Sequence, residues 1–152
     1  MDIFFVTITW LGSLYILLPL SALLCILLIW AGKYGQVVLI SCSLLITIIS
    51  VHAVKLIFRR PRPSTVELLV AMPSDWSFPS AHTAQATAFF LSVALIAFQA
   101  LPPVWATLFA IFSLLIIGFV GYSRIYLQVH YLSDVLAGMF LATLIVSAVR
   151  ES

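Results

Sequence analysis

The chain has 152 residues, of which 64% are hydrophobic and 8% charged, with a net charge of +2 and a mean hydropathy of +1.23. A soluble domain carries roughly 25% charged residues, so the composition excludes a water-soluble globule, and so small a net charge gives no basis for nucleic-acid binding. A membrane-spanning helix uses about 20 residues, so the length admits five or six crossings and little else.

The first apolar run extends from Ile3 to Trp30, longer than one crossing needs. Gly12 and Ser13 divide it into an interfacial segment, 3–11, and a first span, 13–30. Met1-Asp2 is no basic leader and no small-residue cleavage motif follows, which argues against a removed signal peptide. Lys33-Tyr34-Gly35 marks a tight turn, and a second span is predicted over 36–57. The connection 58–80 is polar and is the one long loop. A third span, 81–100, stops at Leu101-Pro102-Pro103; a fourth covers 104–121 and a fifth 131–149. Backbone groups in lipid need internal partners and these runs are too long for barrel strands. The expected fold is therefore all-α: a polytopic membrane helical bundle of about five transmembrane helices, in one domain over 1–152. Cys25 and Cys42 lie in apolar runs without disulfide or metal-binding spacing.

Trp30, Tyr34 and Trp105 fall at span ends on one side, and Trp10, Trp76, Tyr122, Tyr126 and Tyr131 on the other, as two interfacial aromatic belts would. The connections after spans two and four lie two crossings apart and so face one compartment. They hold Lys55, Arg59, Arg60, Arg62, Glu67, Asp75, Arg124 and Asp134, eight of the twelve charged residues. The opposite face has Lys33, Arg150 and Glu151, with Asp2 near the amino terminus.

Three segments stand out against this apolar background: Lys55 to Arg62-Pro63, then Pro79-Ser80-Ala81-His82, then Ser123-Arg124 followed by His130 and Asp134. Ionisable groups at membrane depth are costly and mark functional sites. His130 and Asp134, four residues apart at the start of span five, are predicted to share a helical face. The carboxylate would then accept the Nδ1 proton and leave Nε2 nucleophilic. Ser80, Ala81 and His82 open span three, and a helix start offers free N–H groups and a positive dipole end to phosphate. Arg62 and Arg124 supply planar forks for phosphate oxygens and Lys55 a point charge, while His82 is placed to protonate a leaving oxygen. Cys is absent from the group, and Glu67 and Asp75 are not paired at a helical spacing, so metal ligands are scarce. The combination points to phosphoryl transfer through a covalent histidine.

The three segments resemble the signature of the type 2 phosphatidic acid phosphatase superfamily, which includes acid phosphatases and vanadium haloperoxidases. That signature reads K-x6-R-P, P-S-G-H and S-R-x5-H-x3-D, and every fixed position is matched except Gly, replaced by Ala81. The similarity runs from about Trp10 to the end and includes Leu11-Gly12-Ser13 and Leu18-Pro19-Leu20. The resemblance implies a phosphatidic acid phosphatase type 2/haloperoxidase-like core and a metal-independent phosphatase without cofactor. In it His130 forms a phosphohistidine, Asp134 orients it, and His82 serves as acid and then base. Lys55, Arg62, Arg124, Ser80 and the Ala81 N–H would hold the phosphoryl oxygens. It further implies a lipid phosphate or diphosphate substrate, undecaprenyl diphosphate first, then phosphatidylglycerophosphate or phosphatidic acid. The location implied is a bacterial inner membrane, with the site on its outer, periplasmic face. Ala81 is expected in a helical first turn, where Gly is not required. Bacterial lipid phosphatases of this kind have six spans, so the first is expected to be absent here, with the amino terminus outside and the carboxyl terminus inside.

Plainer readings stand beside these. Lys55, Arg59, Arg60 and Arg62 could form a positive-inside anchor, which taken alone would turn this face inward, against the family topology. Arg59 and Arg60 lie outside the motif and read equally as contacts for lipid headgroups or a second phosphate, or as plain anchors. His52 reads as a bundle residue, Glu67 and Asp75 as solvated loop charges, and Gly118, Gly121 and Gly138 as sites of close helix packing. The rival functions are a small anion transporter or channel, whose charges would spread through the spans, and a catalytically silent interaction protein, for which Ala81 is the one hint.

Overall fold

The structure, a computed structural model, describes residues 2–63 and 71–151; Glu67 lies outside the described residues. Among the described residues six helices follow one another: α1 (Asp2–Ile8), α2 (Leu14–Trp30), α3 (Tyr34–Phe58), α4 (Ala81–Ala100), α5 (Pro103–Tyr126) and α6 (Leu132–Glu151). A short 3₁₀ helix, Thr9–Gly12, joins α1 to α2, and the described residues contain no strand. Helices α3 to α6 are each long and apolar enough to cross a membrane. Asp2–Gly12 and α2 qualify together as a fifth, bent by 48°. The bundle is the all-α membrane fold that the apolar runs imply.

Local chemistry sets the helix ends. Ser13 is extended and its Oγ accepts the Tyr15 N–H at 3.3 Å, starting α2. Helix α3 closes where Arg59 turns left-handed (φ 46°) and donates its N–H to the Lys55 carbonyl at 3.0 Å; Pro61 and Pro63 cannot extend it. Helix α4 starts just after Pro79-Ser80 and stops at extended Leu101, before Pro102. Two expected boundaries move. Helix α5 continues past Gly121 to Tyr126, so Ser123 and Arg124 sit on its last turn rather than in a connection. Helix α6 begins at Leu132, so His130 precedes the helix instead of lying within it.

Helix α4 is the buried axis, packed against α2, α3, α5 and α6. Its inward positions are mostly small: Thr83, Ala84, Ala86, Thr87, Ala88, Ser92, Ala94 and Ala97 are all buried. In lipid, apolar area alone does not drive helices together, so close backbone approach through small residues carries the association. Many large apolar side chains, among them Leu45, Phe112, Leu114 and Phe140, face outward. Three glycines tie this axis to its neighbours at the α4 amino end. A Cβ on Gly12 would lie 2.6 Å from the His82 carbonyl oxygen, one on Gly138 2.7 Å from the Ser80 carbonyl oxygen, and one on Gly121 3.5 Å from Thr83 of α4 and 2.9 Å from Val135 of α6. Gly118 has nothing within 4 Å of such a Cβ, so the packing role expected for it is not found.

Gly138→Ala should therefore cost about 1–3 kcal/mol, because the atom it strikes is backbone. Gly118→Ala should leave stability unchanged or raise it by up to about 1 kcal/mol. Thermal unfolding in detergent micelles checks the order of the two midpoints against the parent.

Candidate active site

The carboxyl ends of α3 and α5, the amino ends of α4 and α6, and the 3₁₀ helix meet at one end of the bundle. Lys55, on the last turn of α3, is buried to 3% exposure. Its Nζ pairs with Asp75 Oδ2 at 2.8 Å and donates to the Trp76 carbonyl. Arg62 follows the α3 cap and fans across the mouth. Its Nε donates to the Asp75 carbonyl (2.9 Å), Nη2 to Asp75 Oδ1 (2.5 Å), and Nη1 to the Val129 carbonyl (2.7 Å) and to His130 Nε2 (3.1 Å). Asp75 is thus no solvated loop charge: two cations within reach hold its carboxylate between them.

A guanidinium can only donate, so His130 Nε2 accepts from Arg62 and the ring proton lies on Nδ1. Nδ1 faces Asp134 Oδ2 at 3.4 Å, longer than a firm hydrogen bond, and has no other partner. Asp134 is fully buried. Its Oδ2 accepts the Tyr131 N–H at 3.0 Å, and its backbone carbonyl accepts the Ser80 N–H at 3.0 Å. Its Oδ1 accepts from Arg60 Nη1 at 2.7 Å, which also donates to Ser133 Oγ at 2.7 Å. The Arg60 guanidinium carbon lies 4.2 Å from the Tyr131 ring centroid. Arg60 therefore serves as the counter-ion of Asp134, a role that neither reading offered for it. Arg59 stays exposed, its Nε on the Leu56 carbonyl at 3.0 Å.

Ser80 is buried, its Oγ 2.9 Å from Thr83 Oγ1. Ala81 is the first residue of α4 and is not among the positive-φ residues, so it adopts the helical turn expected of it. His82 stands on the same turn in the field of Arg124, His130, Arg62 and Asp75. Arg124 is buried, with Nη1 donating to Thr9 Oγ1 at 2.9 Å and Nε without a partner among the described residues. All eight residues singled out in the sequence thus lie at one end of the bundle. Asp75, Arg60 and Thr9 join them unforeseen; their partners lie 13 to 115 positions away, beyond any local pattern. Among the described residues no three His, Cys, Asp or Glu side chains gather as metal ligands would.

Residues 36–151 match the family model of the PAP2 superfamily. The chain belongs to that superfamily. It is 30% identical over 136 residues to an undecaprenyl-diphosphatase of Sulfolobus acidocaldarius, a match covering 87% of this chain. The chain spans 61% of that relative's length. It is similar in structure to the transmembrane PAP2-type phosphatidylglycerolphosphate phosphatase of Bacillus subtilis, with a TM-score of 0.90 and 28% identity over 99% of this chain and 75% of that one. Against LpxE of Aquifex aeolicus the TM-score is 0.75, with 26% identity over 99% of this chain and 86% of that one.

The electrostatics of this PAP2 mouth are one-sided. Burial would raise the Asp75 carboxyl, but hydrogen bonds and charge from Lys55 and Arg62 outweigh it and hold the group at about 2. Burial lowers the His130 imidazole; Asp134 pulls it back up, but Arg62, Arg124 and Lys55 push it down again, to about 4. At neutral pH the ring is uncharged with its lone pair on Nε2. Lys55 and Arg62 share the one carboxylate of Asp75, Arg124 pairs with no carboxylate among the described residues, and the mouth is short of negative charge.

Arg60→Ala would leave the buried Asp134 carboxylate without its cation and should lower stability by about 1–3 kcal/mol. Arg59→Ala, which removes an exposed side chain, should stay within about 0.5 kcal/mol of the parent. Equal midpoints for the two variants in thermal unfolding would contradict the assignment of Arg60.

Proposed function

We propose that the protein is an integral membrane lipid phosphatase that hydrolyses a phosphomonoester or diphosphate carried on a lipid, without metal, through a phosphohistidine at His130. The observation that carries this reading is the neutral His130 ring, its Nε2 turned to Arg62 and its Nδ1 to Asp134, in a mouth with surplus cations. Arg62 shifts from Nε2 to the phosphoryl oxygens as substrate arrives, joined by Lys55, Arg124, Ser80 and the Ala81 N–H at the positive end of α4. The His130 Nε2 lone pair forms a bond to the terminal phosphorus while the bond from that phosphorus to the leaving oxygen breaks (the lipid oxygen of a monoester, the bridging oxygen of a diphosphate), and His82 gives the leaving oxygen its proton. Water then attacks the phosphohistidine, passing a proton to His82; the N–P bond breaks, orthophosphate leaves, and His130 is restored. Asp134 holds Nδ1 throughout and stabilises the charged ring.

The name of the Sulfolobus relative favours undecaprenyl diphosphate as substrate, and the Bacillus phosphatase makes phosphatidylglycerophosphate the next choice. Charge gathered at one end, rather than along the spans, disfavours an anion channel. The inner-membrane location, with the mouth facing outward, gains support from how the cations are used. Lys55, Arg60, Arg62 and Arg124 are engaged by Asp75, Asp134, backbone carbonyls, His130 and Thr9. Among the described residues this leaves exposed Arg59 as the freest cation at the site end, against exposed Lys33 and Arg150 at the other. Counting only free cations, the two at the far end exceed the one at the mouth, which favours the far end as the inward one.

In EDTA the wild type should release phosphate from these lipids, and His130→Gln should lower the rate at least about 10³-fold. Because the neutral ring is the active form, activity should fall as pH drops through about 4, not near the usual 6.5. Full activity of His130→Gln, or strict need for a divalent ion, would overturn the mechanism. For topology, a membrane-impermeant maleimide should label Arg59→Cys but not Lys33→Cys in intact cells; the reverse pattern would turn the mouth inward.

A further inference from the structure

The proposed reaction takes place at a membrane surface crowded with ordinary phospholipids, each presenting a phosphodiester with one negative charge. With no counter-charge of its own, a mouth holding Lys55, Arg62 and Arg124 would attract those headgroups as readily as a substrate. Across the first two cations lies Asp75, with Oδ2 2.8 Å from Lys55 Nζ and Oδ1 2.5 Å from Arg62 Nη2. The main chain reinforces the placement: the Asp75 carbonyl accepts from Arg62 Nε at 2.9 Å, and the Trp76 carbonyl accepts from Lys55. Ser77 clips the same segment to the other side of the loop, its N–H on the Arg60 carbonyl at 2.9 Å and its Oγ on the Pro61 carbonyl at 3.1 Å. The carboxylate is therefore a built-in anion, with half of its side chain open to solvent where an incoming headgroup would meet it.

We infer that Asp75 is a specificity-determining residue that sets a charge threshold, yielding Lys55 and Arg62 to doubly charged phosphomonoesters or to diphosphates and withholding them from phosphodiesters. The inference rests on the phosphatase reading above. An incoming diester exchanges one negative charge for another and gains nothing to offset the ordering of its headgroup. A phosphomonoester dianion or a diphosphate brings at least one charge more, and the surplus falls among Lys55, Arg62 and Arg124, whose Nε lacks a partner. The same exchange releases Arg62 from the carboxylate, and with it the guanidinium nitrogen that rests on His130 Nε2. Discrimination between headgroups is thereby tied to exposure of the nucleophile. The carboxyl is held at about 2, so it stays charged at any working pH and does not lapse by protonation.

The test uses the purified full chain in mixed micelles, with phosphatidic acid as substrate, phosphatidylglycerol as the diester probe and a phosphate-free non-ionic lipid as the dilution control. For the wild type, phosphatidylglycerol should inhibit no more than the non-ionic lipid does. For Asp75→Asn, it should become a competitive inhibitor, with the ratio of its inhibition constant to the substrate KM at least 10-fold lower than in the wild type. Asp75→Glu should restore the exclusion, which separates charge from damage to the loop. An unchanged ratio in Asp75→Asn, or a Glu variant as permissive as Asn, would overturn the threshold. Wild-type protein that released no phosphate from any lipid would instead overturn the phosphatase reading. The threshold would then be judged by calorimetry: inorganic phosphate should bind the wild type and dimethyl phosphate should bind Asp75→Asn alone, and equal preference in both proteins would overturn it.

Discussion

Lys55, Arg62 and Arg124 come together at the end of an apolar bundle, and like charges packed there are tolerated only when each finds something to offset its lost hydration. Much of the local structure follows from that need. Three backbone carbonyls, of Asp75, Trp76 and Val129, are turned inward to accept from Lys55 and Arg62. The Asp75 carboxylate sits between the same two cations. Among the described residues Arg124 has the Thr9 hydroxyl as its side-chain hydrogen-bond partner and no partner for Nε. The cations are satisfied well enough to fold and incompletely enough to want an anion, which is what the proposed phosphate-binding role requires.

Asp134 performs the complementary task of joining the elements. Its backbone carbonyl holds the Ser80 N–H before α4, Oδ2 holds the Tyr131 N–H before α6, and Oδ1 holds Arg60 after α3. That only works because Gly138, one turn further along α6, lets the Ser80 carbonyl approach the α6 backbone. Small-residue packing along α4 and polar contacts at its amino end are therefore one construction: the first sets the distance at which the second can form. A buried carboxylate without Arg60 would be expensive, and without the Ser80 link the two histidines would lose their common frame.

The helices were readable because lipid demands long apolar runs, and the site was readable because its motif residues sit at fixed spacings beside proline helix breaks. Hydropathy placed the end of α5 at Gly121, but hydrogen bonding carries the helix to Tyr126, since Tyr122, Ser123 and Arg124 are as capable of helical backbone bonds as Leu. Charge counting treated Asp75 as a solvated residue and left Arg60 undecided, because a side chain's partner across the fold leaves no trace in its own neighbourhood. The three glycines of α5 and α6 looked alike in the sequence. Gly121 and Gly138 face other helices and Gly118 faces open space, a difference set by rotation about the helix axis. The run of Ala and Thr from Thr83 to Ala88 was a visible signal of a buried, thin helix and would have identified α4 as the axis.

The amino-terminal segment belongs to the site as much as the motifs do. The family model begins at residue 36, yet Thr9 supplies the side-chain partner of Arg124, and Gly12 packs against the carbonyl of His82. Helix α1 reaches those positions because it packs on α5: Phe4 and Phe119 pair edge to face at 5.9 Å, and the Tyr126 hydroxyl donates to Asp2 at 2.6 Å. The 48° bend at Ser13 then lets α2 cross the bilayer while the 3₁₀ turn stays beneath the mouth. A cation buried on the last turn of one helix needs a neighbour from outside that helix, and the bent first segment is the part of the chain placed to provide it. The Gly12-Ser13 break is for that reason a structural component of the mouth, and not merely the point where an overlong apolar run divides.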